Sequence, residues 1–152
     1  MSFHDFVENI DASDVNNAQV RLISGLKNAD DKTMLTTALD NIDKHFSFVG
    51  LQENYDESLL LLQKLYGWSM PYYNYRNKTD SSKKIKTISG ETRALILKKN
   101  AADVKLFNHI QSKLTKQIEA EKNISFQLLK LSYSNKIAKS IWGRRFLKVF
   151  KI

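Results

Sequence analysis

The chain is expected to be mainly α-helical, with one or two short strands. Apolar residues recur three and four positions apart over most of its 152 residues, the pattern of amphipathic helices. Ser, Asn and Asp stand ahead of those stretches, where their side chains can accept backbone N–H groups that a helix start leaves unpaired. One contiguous apolar run, FSFVGL at residues 46–51, has the pattern of a buried strand and ends in a polar turn.

Ser2 and Asp5 have capping-box spacing ahead of a short helix over residues 3–9. A second helix, over residues 15–24, places Val20, Ile23 and Leu26 on one face and stops at Gly25. Asp30 or Asp31 caps a third helix reaching His45, with Leu35, Ala38, Leu39 and Ile42 as its apolar stripe. After the strand, Asn54 is placed to cap a fourth helix. Its side-chain oxygen would accept the N–H of Glu57, whose carboxylate can reach back to the Asn54 N–H. Residues 59–62, Leu65 and Tyr66 make this helix strongly apolar, and Gly67 ends it. The one long loop covers residues 68–88 and holds the sole proline, Pro71, an aromatic group of Tyr72, Tyr73 and Tyr75, and a lysine-rich polar run.

Helix resumes after Ser89 and runs to Lys99. Asn100 and Asp103 then start a longer helix to Glu121, with Val104, Phe107, Ile110, Leu114 and Ile118 on one face. Residues 124–133 and 136–150 read as one or two further helices with a break near residues 132–135. The last stretch is apolar on one side and basic on the other. It could lie on an anionic membrane surface with Trp142, Phe146 and Phe150 inserted. Docking on the rest of the chain is favoured, because burying apolar surface contributes ~25 cal/mol per Å². The expected organisation is therefore residues 1–122 with a basic amphipathic tail, residues 123–152, packed on the same domain.

The chain has no cysteine, which excludes disulfides, thiol catalysis and Cys-based zinc sites and suits a reducing, cytoplasmic compartment. No apolar run approaches the ~20 residues of a membrane helix, and residues 1–20 lack the basic start and apolar core of a secretory signal. His4, His45 and His109 are too scattered for a metal site or a Ser-His-Asp arrangement, so no catalytic residue and no metal ligand is assigned. The net charge is +8, from 24 Lys and Arg against 16 Asp and Glu. Residues 1–57 are acidic, whereas residues 78–99 and 130–151 are basic. That asymmetry points to an anionic partner such as a nucleotide, an anionic glycan, nucleic acid or a membrane surface. A solvated lysine-rich face with no partner gives the same composition.

Three segments carry a family resemblance. VGLQENYDESLLLL at residues 49–62 resembles the V-G-L-x-E-x-x-D-E-S-L-x-L-L segment of Golgi-type carbohydrate sulfotransferases and their bacterial relatives, the group that includes heparan sulfate 2-O-sulfotransferase. NAQVRLISG at residues 17–25 is similar to the family's N-x-Q-x-R-x-L-x-G segment. NAADVKLF at residues 100–107 is similar to its N-x-x-D-x-x-L-Y element, with Phe107 in place of the usual Tyr. The resemblance covers residues 1–122 and implies the C-terminal, mainly helical half of the α/β sulfotransferase fold.

In that family the sulfate donor is 3′-phosphoadenosine-5′-phosphosulfate (PAPS), held by an N-terminal strand, loop and helix. None of the five glycines here has that loop's spacing, and the family's general base lies in the same N-terminal half. The resemblance therefore implies a chain that binds no cofactor by itself and is inactive alone. It would retain at most binding of an anionic glycan or nucleotide, association with a separate N-terminal half, or homodimerisation. The alternative is a basic helical binding module for glycan, nucleic acid or a membrane surface.

By the same resemblance, Arg21 lies near the nucleotide and acceptor cleft, with Gln19 on the acceptor side. Arg21 could grip phosphate in a bidentate manner or pair with Glu53 or Asp56. Lys78, Lys83, Lys84 and Lys86 fall in the region that folds over the nucleotide in sulfotransferases. Glu53 follows the strand, where α/β folds gather ligand sites, although a structural role, receiving backbone N–H groups or Arg21, is favoured. Tyr72, Tyr73 and Tyr75 are placed to stack on a sugar or base, or to pack against Trp68.

Overall fold

The computed structural model describes residues 1–10, 15–73 and 87–138. Among these are seven helices: α1 (Phe3–Asn9), α2 (Ala18–Ser24), α3 (Asp31–His45), α4 (Tyr55–Tyr66), α5 (Gly90–Lys99), α6 (Ala101–Glu119) and α7 (Ile124–Ala138). A 3₁₀ turn, Gln52–Asn54, leads into α4. The described residues include no strand, which corrects the expected one over residues 46–51. The backbone there is extended, with φ −109° and ψ 115° at Phe46 and φ −118° and ψ 144° at Leu51. A strand also needs a neighbour to take its N–H and C=O groups, and the described segments that bury apolar surface are helical. Phe46 stays 49% exposed.

The chain divides into two compact units. One comprises Met1–Ser47 with Asp80–Ile110, the other Phe48–Thr79 with Gln111–Ile152. In the first, α2 packs on α3 and α1 on α5. The Ser2–Asp5 capping box forms at α1, and Asp30 caps α3 by accepting the N–H groups of Lys32 and Thr33. The buried stripe of α3 is Met34, Ala38 and Ile42, a four-residue spacing that leaves Leu35 and Leu39 half-buried beside it. Lys99 closes the far end of α1. Its Nζ donates to the carbonyls of Val7 at 2.7 Å, Glu8 at 2.8 Å and Ile10 at 3.3 Å, so a cation meets the partial negative charge of a helix C-terminus.

In the second unit α4 packs on α7, burying Leu60, Leu131 and Ser134. Asn54 does not cap α4. Its N–H donates to the Leu51 carbonyl within the 3₁₀ turn, which gives it φ −117° and ψ 47° rather than the extended backbone a capping residue adopts. Ser58 secures this corner instead. Its Oγ accepts the Leu51 N–H at 3.1 Å and reaches the Leu51 carbonyl at 3.4 Å. Gly67, at φ +65°, ends α4 as expected.

Two helices differ from their expected form. α6 buries Ala102, Leu106, Ile110 and Leu114, while Val104, Phe107 and Ile118 lie half-buried to the side. α7 runs unbroken through residues 132–135: that stretch is polar but holds neither Gly nor Pro, and its polar groups are used in packing, with Ser134 buried and Asn135 bonded to the backbone at Tyr73.

Candidate functional site

The segments at residues 17–25 and 100–107 meet in the first unit and cap one another. Asn17 has a left-handed backbone (φ +49°) and is 1% exposed. Its Oδ1 accepts the N–H of Ala102 at 2.9 Å and of Asp103 at 3.1 Å, so a residue 85 positions away caps α6. In return the Asp103 carboxylate accepts the N–H of Gln19 at 3.0 Å and Val20 at 2.7 Å, satisfying the start of α2. Asn100 completes the clasp by accepting the Asn17 N–H at 3.1 Å. Asn17, Asn100 and Asp103 thus satisfy five backbone donors that helix starts otherwise leave open.

Other sequence-singled residues have equally local roles. The Arg21 guanidinium donates from Nη1 to the Lys27 carbonyl at 2.8 Å and from Nη2 to the Asn16 carbonyl at 3.5 Å, holding the turns on both sides of α2. Its Nε is buried without a hydrogen-bond partner. The Gln19 side chain is exposed, as is Glu53 in the 3₁₀ turn. Tyr73 packs edge-on against Tyr55, with ring centroids 5.1 Å apart. Its hydroxyl donates to Asp56 Oδ1 at 2.5 Å, and its N–H to Asn135 Oδ1 at 2.7 Å. Tyr72 is half-buried. Lys78, Lys83, Lys84, Lys86 and Tyr75 lie outside the described residues, as does the tail from residue 139.

Two carboxylates at helix starts are held in their charged form by the groups they cap. The Thr33 side chain and backbone hold the Asp30 carboxyl below its ordinary value, and the Ser2 backbone and hydroxyl do the same for Asp5. Both are capping carboxylates exposed to water. Among the described residues no group of three His, Asp or Glu side chains is placed to hold a metal ion.

The second unit holds a cleft of about 610 Å³, between the C-terminal end of α4 and the turn joining α6 to α7. Leu60, Leu61 and Ile124 give it apolar walls, and Gln63, Lys64, Glu121, Asn123 and Gln127 line it with polar groups. Lys64 and Glu121 pair at 2.6 Å. Gln63 ties this lining to the backbone of Trp68, whose ring stacks on Tyr66, 5.4 Å between centroids and 19° between planes, with 54% and 50% of the Tyr66 and Trp68 surfaces exposed. The sequence pattern makes Tyr66 part of the apolar helix and Trp68 a packing partner for the loop tyrosines. The one signal was Gly67 between them, which turns the chain and leaves both rings outside.

No helix among the described residues is long and apolar enough to cross a membrane, and no solved structure matches the chain. Residues 21–127 match the family described as galactose-3-O-sulfotransferase. Over 82 residues the chain is 32% identical to the galactosylceramide sulfotransferase of Mus musculus, a match covering 52% of this chain and 19% of that protein. The galactosylceramide sulfotransferase of Bos taurus is 30% identical over the same length and coverage. The match therefore spans about a fifth of these curated relatives. The expectation of a carbohydrate sulfotransferase relative is met, with the kinship lying among galactose-directed enzymes: the chain belongs to the galactose-3-O-sulfotransferase family.

Proposed function

We propose that this chain serves a PAPS-dependent carbohydrate sulfotransferase acting on galactosyl acceptors, and that its described residues supply helical framework rather than the chemistry of sulfuryl transfer. The observation that carries this reading is the mutual capping of α2 and α6. The segments that resemble the sulfotransferases direct Asn17, Asn100 and Asp103 at one another's backbone, not at a shared ligand cavity.

The capped helix starts among the described residues do not fit PAPS. A phosphosulfate cradle needs open backbone N–H groups at a helix start. Side chains of the protein already occupy the starts of α1, α2, α3, α5 and α6, and at α1, α2 and α3 one of those side chains is a carboxylate that would repel phosphate. The positive-φ glycines, Gly25 and Gly67, lie at helix ends rather than at helix starts. On this reading the chain alone transfers no sulfate.

Two measurements test this. With labelled PAPS and galactosylceramide or lactose, the 152-residue chain is expected to transfer no sulfate, and 3′-phosphoadenosine-5′-phosphate to leave its melting temperature unchanged. Product, or a saturable nucleotide shift, would overturn the reading of the chain as framework. A chimera carrying residues 21–127 in place of the matching stretch of the mouse relative is expected to keep galactose sulfation. A folded, nucleotide-binding chimera that sulfates no galactosyl acceptor would overturn the family function. The net charge of +8 favours a second reading, a polyanion-binding module. It requires a heparin-induced stabilisation that fades as salt rises.

A further inference from the structure

We propose that the cleft at the end of α4, with the Tyr66–Trp68 stack beside it, is a binding subsite for a neutral galactosyl sugar. The choice of sugar rests on the functional reading above. Binding itself rests on the geometry.

At about 610 Å³ the cleft lies in the range of small-ligand sites, roughly 300–1,000 Å³. A sugar presents C–H faces that need apolar contact and a rim of hydroxyls that both donate and accept. The cleft offers both kinds of partner. Leu60, Leu61 and Ile124 are apolar, whereas Gln63, Asn123 and Gln127 bring side-chain amides, the groups that donate and accept at once. Lys64 and Glu121 add a charged donor and acceptor already neutralised by each other at 2.6 Å.

That pairing argues against a phosphate or sulfate ligand. Lys122 is the other cation on the lining, and an anion there would face the Glu121 carboxylate. A neutral polyol meets no such repulsion.

The aromatic stack supplies a platform. Half-exposed Tyr66 and Trp68 present a flat apolar surface with polar edges, suited to the C–H face of a pyranose. The backbone that carries Trp68 is also tied to the cleft lining. The Trp68 N–H donates to the Gln63 carbonyl at 3.0 Å, and the Gln63 amide donates back to the Trp68 carbonyl at 2.6 Å. Gln63 therefore lines the cleft and fixes the backbone of the ring beside it. Such preorganisation lowers the ordering cost of binding.

The chain has two tryptophans, Trp68 and Trp142, so Trp142→Phe leaves Trp68 as sole reporter. Titration of this variant with lactose is expected to change Trp68 emission saturably, and maltose to do so much less. Gln127→Leu, checked by circular dichroism for an intact fold, should weaken lactose about tenfold, ~1.4 kcal/mol. Saturation-transfer NMR on the unaltered chain should show the galactose ring protons in contact. The proposal is overturned if lactose gives neither signal, if maltose binds as well, or if Gln127→Leu leaves affinity unchanged. Lactose binding by this chain alongside an inactive chimera would sink the functional reading and keep the subsite. An active chimera with no lactose binding by this chain would do the reverse.

Discussion

Replacing Asn17 by alanine tests the clasp most directly. The side chain is 1% exposed and accepts two backbone N–H groups at the start of α6. Losing that acceptor is expected to cost about 1 kcal/mol per hydrogen bond. Alanine must also hold φ +49° with no polar side chain to offset the clash of its Cβ, which adds about 1 kcal/mol. The sum is about 3 kcal/mol, or a fall of roughly 6–12 °C in Tm for a chain of this size. Asn17→Gly loses the same hydrogen bonds without the backbone strain and should be milder by about 1 kcal/mol. Urea unfolding followed by circular dichroism reads both variants. A double-mutant cycle of Asn17→Gly with Asp103→Ala should give less than the sum of the single losses, because each variant loosens the same helix junction. Equal stability of the Ala and Gly variants would refute the strain argument. Losses below about 1 kcal/mol in both would refute the clasp itself.

Two further outcomes follow from the corner before α4 and from the cap of α3. A Cβ at Gly50 would stand 2.7 Å from the Ser58 Cβ and 2.9 Å from its Oγ, so Gly50→Ala should destabilise by about 1–3 kcal/mol; Ser58→Ala should not rescue it, because the nearest clash is with Cβ, and a rescue seen in thermal melts would contradict this packing. The depressed pKa of Asp30, caused first by the Thr33 hydroxyl, means that the folded state binds this proton less readily than the unfolded chain. Its stabilisation is present above the ordinary value of 3.8 and is lost as pH falls below that value through the lower folded pKa. Asp30→Asn should therefore flatten the acid limb of a stability-versus-pH curve while leaving its alkaline limb unchanged, and an unaltered acid limb would contradict the assignment.

Much of the local structure was readable in the chain because its causes are local. The Ser2–Asp5 box, the Asp30 cap and the stops at Gly25 and Gly67 each depend on residues within a turn of one another, and helical spacing identified α3 and α6. The expected strand failed because residues 46–51 carry only half the requirement. Extended backbone is local, whereas a ladder needs a second segment. Asn54 failed as a cap for a related reason: Ser58, one turn into the helix, took the Leu51 N–H and a 3₁₀ turn used the Asn54 backbone.

Sequence pattern also placed the chain among the carbohydrate sulfotransferases, since a motif preserves residue types in order whatever their contacts. Only the tertiary structure decided what those residues do. Asn100 and Asp103 have the spacing of a helix cap, and they do cap a helix, but it is α2, more than 80 residues earlier in the chain. Their own helix is capped from Asn17. The cleft beside Trp68 was invisible for the same reason. It joins the end of α4 to a turn some 57 residues later, and residues so far apart come together only when the apolar faces of α4 and α7 bury each other.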